Sequence, residues 1–168
     1  CSLRKTTKHH TTSVDRAFDE VITRCADPTR PYAWIGDRVM EVYRYLHDRG
    51  WAHSVETWNA QGRLVGGLYG VSVGGFFSGE SMFHDPEYGR DASKTALMRL
   101  VCELGPGLLD VQWSTPHLAR LGVIDVDRAE YLALLSDALE RPSPQWTSLD
   151  DPAWNGGHLL ERLRKMPN

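Results

Sequence analysis

The chain has 168 residues, 41% of them hydrophobic, and a formal net charge of −3. That length suits one domain with a real core. The slightly acidic balance argues against broad non-specific nucleic-acid binding but allows a local contact with one RNA end. No apolar run approaches the ~20 residues needed to span a membrane and no secretory signal is present, so cytoplasm is the default. Cys1, Cys25 and Cys102 are too few and too scattered for a disulfide framework or a zinc site.

Residues 1–13 carry Arg4, Lys5, Lys8, His9 and His10 with no acid. They read as a basic N-terminal arm, either solvated or touching phosphates. Apolar Val14, Ala17, Phe18, Val21, Ile22 and Cys25 recur at helical spacing, which predicts a helix over 14–26 stopped by Asp27-Pro28. A second amphipathic helix is predicted over 37–48, with Val39, Met40, Val42, Tyr43 and Leu46 inward and Gly50 placed to end it. Residues 51–58 alternate as a strand, 59–62 form a hairpin loop, and strands follow over 63–73 and 75–79. Residues 92–104 form a helix broken at Gly105-Pro106-Gly107, and 108–112 a short buried strand. A helical turn over 116–121, an extended piece over 123–125 and a helix over 127–139 capped by Asp127 complete the domain. From Arg141 the composition turns to Pro, Gly and Trp, as in an irregular tail that wraps the domain and ends in a short helix over 159–166. The division is therefore an arm (1–13), a domain (14–140) and a tail (141–168). The fold class is α+β: a mixed, mostly antiparallel sheet flanked by helices, in an order that resembles the acyltransferase (GNAT-like) fold.

Residues 74–97 hold the chemistry. Glu80 lies between apolar Phe77 and Met82–Phe83, where a carboxylate is costly without a partner or a task. Glycines 74, 75 and 79 leave the backbone open to close approach, and Ala92-Ser93-Lys94 opens a helix, offering free N–H groups and a hydroxyl at its positive end. The bland alternative is a set of tight turns over a core. Asp110 and Gln112, two apart on a predicted strand, share one face, where they can accept and donate hydrogen bonds. Aminolysis of an ester needs both functions. A strand-end Asp caging its own loop is the competing view. His53, His84 and His117 are tempting bases, but a His53–Ser54–Glu56 triad fails because neighbours on a strand point apart, and no pair has zinc-ligand spacing.

The run GESMF (79–83) followed by ASKTAL (92–97) resembles the leucyl/phenylalanyl-tRNA–protein transferases. Flanking segments agree in order and spacing: Trp34-Ile35, 43–58, 64–71, DVQ (110–112), 117–122 and Tyr131-Leu132, so that the resemblance covers roughly 14–139. The family shares the acyltransferase fold, and it has an additional N-terminal domain that nothing here matches. Cys1 in place of Met suggests a fragment, a trimmed chain or a renumbered one.

The resemblance implies an aminoacyltransferase that joins a tRNA-borne amino acid to an amine acceptor. In the family that acceptor is a protein N-terminal Arg or Lys, and the modification marks proteins for degradation. Asp110 and Gln112 take the place of the family's catalytic Asp-x-Gln. Glu80 would orient the amine or a ribose hydroxyl, or else is a core-edge Glu satisfied by backbone amides. Trp34, Tyr43 and Phe77 match aromatic positions of the adenosine and aminoacyl pocket, although singly each is more often core. Gly79, Ser81 and Ser93 complete the implied substrate-binding set. The helix after ASKTAL offers Leu97, Leu100, Val101 and Leu104 where the family has phenylalanines. No metal and no cofactor is implied, aminoacyl-tRNA being a co-substrate. The phosphate-loop position holds HDPEYGRDASK (84–94), which argues against acetyl-CoA as donor. Partners are the 3′ end of aminoacyl-tRNA and the acceptor, with neither membrane nor DNA among them. The same chemistry on a small-molecule acceptor, and a non-catalytic RNA- or peptide-binding relative, stay open.

Overall fold

The computed structural model describes residues 2–30, 33–146 and 154–166. Within them one five-stranded sheet has the order β1-β2-β3-β4-β5. The strands are β1 (Thr11–Val14), β2 (Ala52–Trp58), β3 (Leu64–Val73), β4 (Phe76–His84) and β5 (Leu108–Asp110). The first four pair antiparallel, β1 reaching β2 by way of two helices while β2–β3 and β3–β4 are joined by short turns, and β5 pairs parallel with β4. A parallel neighbour needs a crossover; α4 (Ala92–Leu104) supplies it. The mixed α+β reading, with a mostly antiparallel sheet flanked by helices, holds.

Each face of the sheet has its own core. One is built from α2 (Phe18–Cys25) and the segment leading to α3 (Asp37–Asp48), with Phe18, Val21, Ile22, Ile35, Tyr69 and Phe83 buried together. The other sets Ala96, Leu97, Leu100 and Leu104 of α4 against Val14, Val55, Leu68 and Phe77. Covering both faces explains why β2 and β3 are buried almost continuously rather than alternately. Gly66 lets α4 lie directly on the sheet: a Cβ there would meet Ala92 Cβ at 2.6 Å and Ser93 N at 2.9 Å.

The N-terminal stretch departs from its sequence reading. Residues Ser2–Thr7 form a short helix, α1, and Thr11–Val14 pair with β2, Val14 opposite Val55. The helical spacing that began at Val14 is interrupted by Asp15, which turns the chain at φ 54° before α2 starts at Phe18. Burial of Val14 against Val55 and Leu68 outweighs its place on a helical stripe. The segment is also tied to α4: Thr95 Oγ1 lies 3.2 Å from both Thr7 Oγ1 and His10 Nδ1. Lys5, Lys8 and His9 remain exposed.

Pro116–Ala119 forms α5, and Arg128–Glu140 forms α6 with Asp127 accepting from Glu130 N at 2.9 Å. The tail does wrap back. Asn155 bridges to Thr11, α7 (Gly156–Lys165) starts there, and Trp154 lies 3.7 Å from the buried Arg99 guanidinium. Residues 147–153, which include Pro152, lie outside the described residues. No helix among the described residues is long and apolar enough to cross a membrane.

Candidate active site

The site forms where β4 carries a bulge beside a very short β5. Tyr69 pairs with Ser81 and Gly70 with Gly79, so Glu80 is the extra residue of β4. A bulge bends its strand and re-aims a side chain, and this one puts Glu80 over a pocket. In register with it, Ser78 of β4 pairs with Asp110, the last residue of β5.

Asp110 and Gln112 do come together, but not as neighbours on a strand face. The strand ends at Asp110, and Gln112 adopts φ 64°, a left-handed conformation that costs a non-glycine residue about 1–3 kcal/mol. Asp110 Oδ1 holds this turn by accepting from Gln112 N at 2.7 Å. The turn then swings the Gln112 side chain back across β4. Its Nε2 donates to Gly79 O at 3.0 Å and to Glu80 Oε2 at 3.3 Å. An amide nitrogen has two hydrogens, so what Gln112 has left for a substrate is its amide oxygen, an acceptor.

Glu80 is anchored from three sides. Ser78 Oγ donates to its Oε1 at 3.2 Å, Gln112 to its Oε2, and the Tyr43 hydroxyl also bonds to it. Burial, followed by the charge and hydrogen bond of Glu80, raises the Tyr43 phenol well above its ordinary range. The second oxygen of Asp110 accepts from the Tyr131 hydroxyl at 2.7 Å. That hydrogen bond, more than burial or charge, raises the Tyr131 phenol. Each carboxylate is thus held by neutral donors that fix its direction.

Two adjoining pockets open on this cluster. The smaller, about 270 Å³, is lined by Leu68, Leu97, Leu100, Leu109, Val111 and Leu118, with Tyr69, Gly79, Glu80 and Ser81 as its polar edge. The larger, about 860 Å³, takes in Asp110, Gln112, Trp113, Lys94 and Tyr131. Val111 lines both. Apolar walls with a few convergent polar groups are the usual form of a small-molecule site.

Other expected contributors sit elsewhere. Phe77 is fully buried in the core against Trp146, 5.6 Å between ring centroids, and lines neither pocket. Ser93 is buried where α4 packs on Gly66, so this helix start meets the sheet rather than a ligand. Trp34 is 53% exposed ahead of α3 and lines neither pocket. Gly74 and Gly75 admit the end of α6, not a ligand: a Cβ on Gly74 would lie 2.6 Å from Leu139 O. Tyr43 does reach the site, through Glu80 and by an edge contact with Tyr69 at 5.1 Å.

His53 is bonded to Asp15 Oδ2 at 2.7 Å and to Gly50 O at 3.1 Å, apart from Ser54, which donates to Glu56. The His117 side chain lies outside what is described. Burial pushes the Cys25 thiol up to about 11, which leaves it protonated and unsuited to nucleophilic attack. No group of three or more His, Cys, Asp or Glu side chains gathers as a metal site among the described residues.

Tyr69 and Ser78 were not singled out from sequence. Tyr69 is fully buried, and its hydroxyl has no hydrogen-bond partner. Ser78 could have been found from its i, i+2 spacing to Glu80 on one strand; nothing local marks Tyr69.

A family model described as leucyl/phenylalanyl-tRNA protein transferase matches residues 1–136. The chain belongs to that family. Among the family's curated proteins it is 52% identical over 134 residues to the enzyme of Caulobacter vibrioides, covering 77% of this chain and 60% of that protein. It is 48% identical over 155 residues to the one from Salinibacter ruber (89% and 66%), and 42% identical over 163 residues to the one from Laribacter hongkongensis (90% and 68%). The chain thus spans about 60% of the first of these relatives. The family match starts at residue 1 and so takes in the basic arm, which the sequence resemblance left outside.

Solved structures with a related arrangement include a putative acetyltransferase from Deinococcus radiodurans, with TM-score 0.47 and 15% identity over 72% of this chain and 86% of that one. A spermidine N-acetyltransferase from Vibrio cholerae gives TM-score 0.40 and 12% identity over 77% and 79%. Neither likeness is close enough to bear on chemistry.

Proposed function

We propose that this chain carries the catalytic centre of an aminoacyl-tRNA-dependent aminoacyltransferase. It would join the amino acid on a tRNA 3′ end to an amine acceptor such as a protein N-terminal Arg or Lys. The observation that carries the reading is the anchored Asp110–Gln112–Glu80 cluster opening on an apolar pocket. In this reading the apolar pocket takes the side chain of the transferred amino acid. The larger pocket takes the terminal adenosine and the approaching amine.

In the step itself the acceptor nitrogen attacks the ester carbonyl carbon. A C–N bond forms, the ester C–O bond breaks, and the proton shed by the amine ends on the released 3′ oxygen. The Gln112 amide oxygen is positioned to accept from the attacking amine, and Asp110 holds that group in place through its backbone N–H. An ester donor is already activated, so no ATP, metal or other cofactor is called for. Orientation can supply much of the rate, up to roughly 7–11 kcal/mol in well-ordered systems.

The segment between β4 and α4 supports tRNA rather than acetyl-CoA as donor. Its backbone donors are turned inward: Glu87 N and Tyr88 N donate to Asp85 Oδ1 at 2.9 and 2.8 Å, and Gly89 N donates to Asp85 O at 2.8 Å. A phosphate cradle needs such groups pointing at the ligand.

The test is to incubate the chain with a labelled set of aminoacyl-tRNAs and an Arg-terminated peptide. Label is expected to move from one or a few tRNAs to the peptide. Absence of transfer with every tRNA, together with a saturable calorimetric signal from acetyl-CoA, would overturn the reading.

A further inference from the structure

We infer that Tyr131 is a positioning residue for Asp110, an inference that rests on the transfer reading above. Its hydroxyl donates to Asp110 Oδ2 at 2.7 Å while Gln112 N donates to Oδ1 at the same distance. With both oxygens engaged, the carboxylate has one orientation. That orientation keeps Gln112 at φ 64°, and from this backbone its side chain reaches Gly79 O and Glu80. Loss of the Tyr131 bond frees the Asp110 carboxyl to turn, and a left-handed glutamine with a weakened anchor relaxes to a commoner conformation.

The placement of α6 fits this purpose better than a packing role. Of its 13 residues only Ala138 is buried, and Leu132, Leu134 and Leu139 are exposed. A helix with so little core to fill is still fixed at both ends. Asp127 caps its start, one turn before Tyr131, whose N donates to Asp127 O at 2.9 Å. At the far end Gly75 N donates to Ala138 O at 2.8 Å, and Gly74 leaves no room for a side chain beneath Leu139 O. Those glycines sit at the start of β4, in the turn ahead of the strand that carries Glu80. The structure therefore ties α6 to the same strand that bears the site, with Tyr131 as the arm that reaches across to β5.

The experiment compares the full chain with Tyr131→Phe in two readouts. Steady-state transfer from the labelled aminoacyl-tRNA to an Arg-terminated peptide is expected to show kcat lower by about 10- to 100-fold, the scale of a small misplacement of a reacting group. KM for the tRNA should stay within about 2-fold and the melting temperature should be unchanged. In 15N-labelled protein, the Gln112 side-chain amide resonances are expected to move. A variant with unaltered kcat, or with the loss confined to KM, overturns the inference, as does a Gln112 amide that stays in place. If the unsubstituted chain shows no transfer, that failure speaks against the proposed function, and the Gln112 resonances alone decide the role of Tyr131.

Discussion

The chain contains the same small pattern twice, a serine and a glutamate two apart on a strand, and the two copies have opposite fates. On β2, Ser54 Oγ donates to Glu56 Oε1 at 2.5 Å, and Ser13 of β1 donates to Oε2 at 2.6 Å. Trp58 Nε1 then donates to Ser13 at 2.7 Å, and Glu56 is fully buried. On β4, Ser78 donates to Glu80, but the next donors are Gln112 and Tyr43, and the carboxylate edges a pocket. The first copy is closed because a regular edge strand, β1, lies against it in register. The second is open because of the bulge at Glu80 and because its neighbour β5 is only three residues long. Local pattern alone therefore does not make a site. The irregularity of the surrounding sheet decides whether a carboxylate is enclosed as a structural tie or left at the edge of a pocket.

The contrast can be broken from either side. Asp110→Asn should leave the melting temperature unchanged and slow aminoacyl transfer by about 10²-fold, the scale of a misplaced reacting group; equal rates in a single-turnover assay would remove Asp110 from the mechanism. Glu56→Ala should do the reverse. It leaves the Ser13 and Ser54 O–H groups without their acceptor in the core, at about 1–3 kcal/mol for each unsatisfied group. Urea unfolding should show a loss of that order or larger, and whatever fraction stays folded should transfer at the normal rate.

Gln112→Gly sharpens the comparison further. Glycine adopts the left-handed turn freely, which offsets the added freedom of the unfolded chain, so stability should change by less than about 1 kcal/mol while transfer is lost. A variant destabilised by more than that would show that the side chain holds the fold rather than serves a substrate. The smallest effect is expected from Tyr69→Phe. Its hydroxyl is buried without a partner, so removing it should leave stability unchanged or raise it by about 1 kcal/mol, read as a small upward shift in melting temperature.

Much of the fold was legible because periodicity and turn chemistry agree with it. The α4 boundaries, the β2–β3 hairpin and the Asp127 cap follow from apolar spacing, from the Asn59–Gly62 turn and from an acidic N-cap. What escaped depends on distant partners. Val14 fits a helical stripe, and only its pairing with Val55, 41 positions away, makes it a strand residue. β4 was read as ending at Gly79, because glycine breaks the pattern where the chain in fact bulges and continues to His84. Asp110, Gln112, Glu80 and Tyr43 lie together in space, and their geometry comes from a turn and a bulge rather than from a shared strand face. Phe77 and Ser93 were drawn in by type and motif position, and the packing of α4 claims both for the core.

The central claim is that the β4 copy, not the β2 copy, faces the substrate. It is tested most directly by titrating 15N-labelled chain with a non-hydrolysable 3′-leucylamido-adenosine and mapping the shifted resonances. The account predicts saturable shifts at 79–82 and 110–115 and at Leu97 and Leu100, with Ser13, Ser54 and Glu56 unmoved. Shifts centred on Ser54 and Glu56, or a saturated complex that leaves Glu80 and Gln112 untouched, would contradict it.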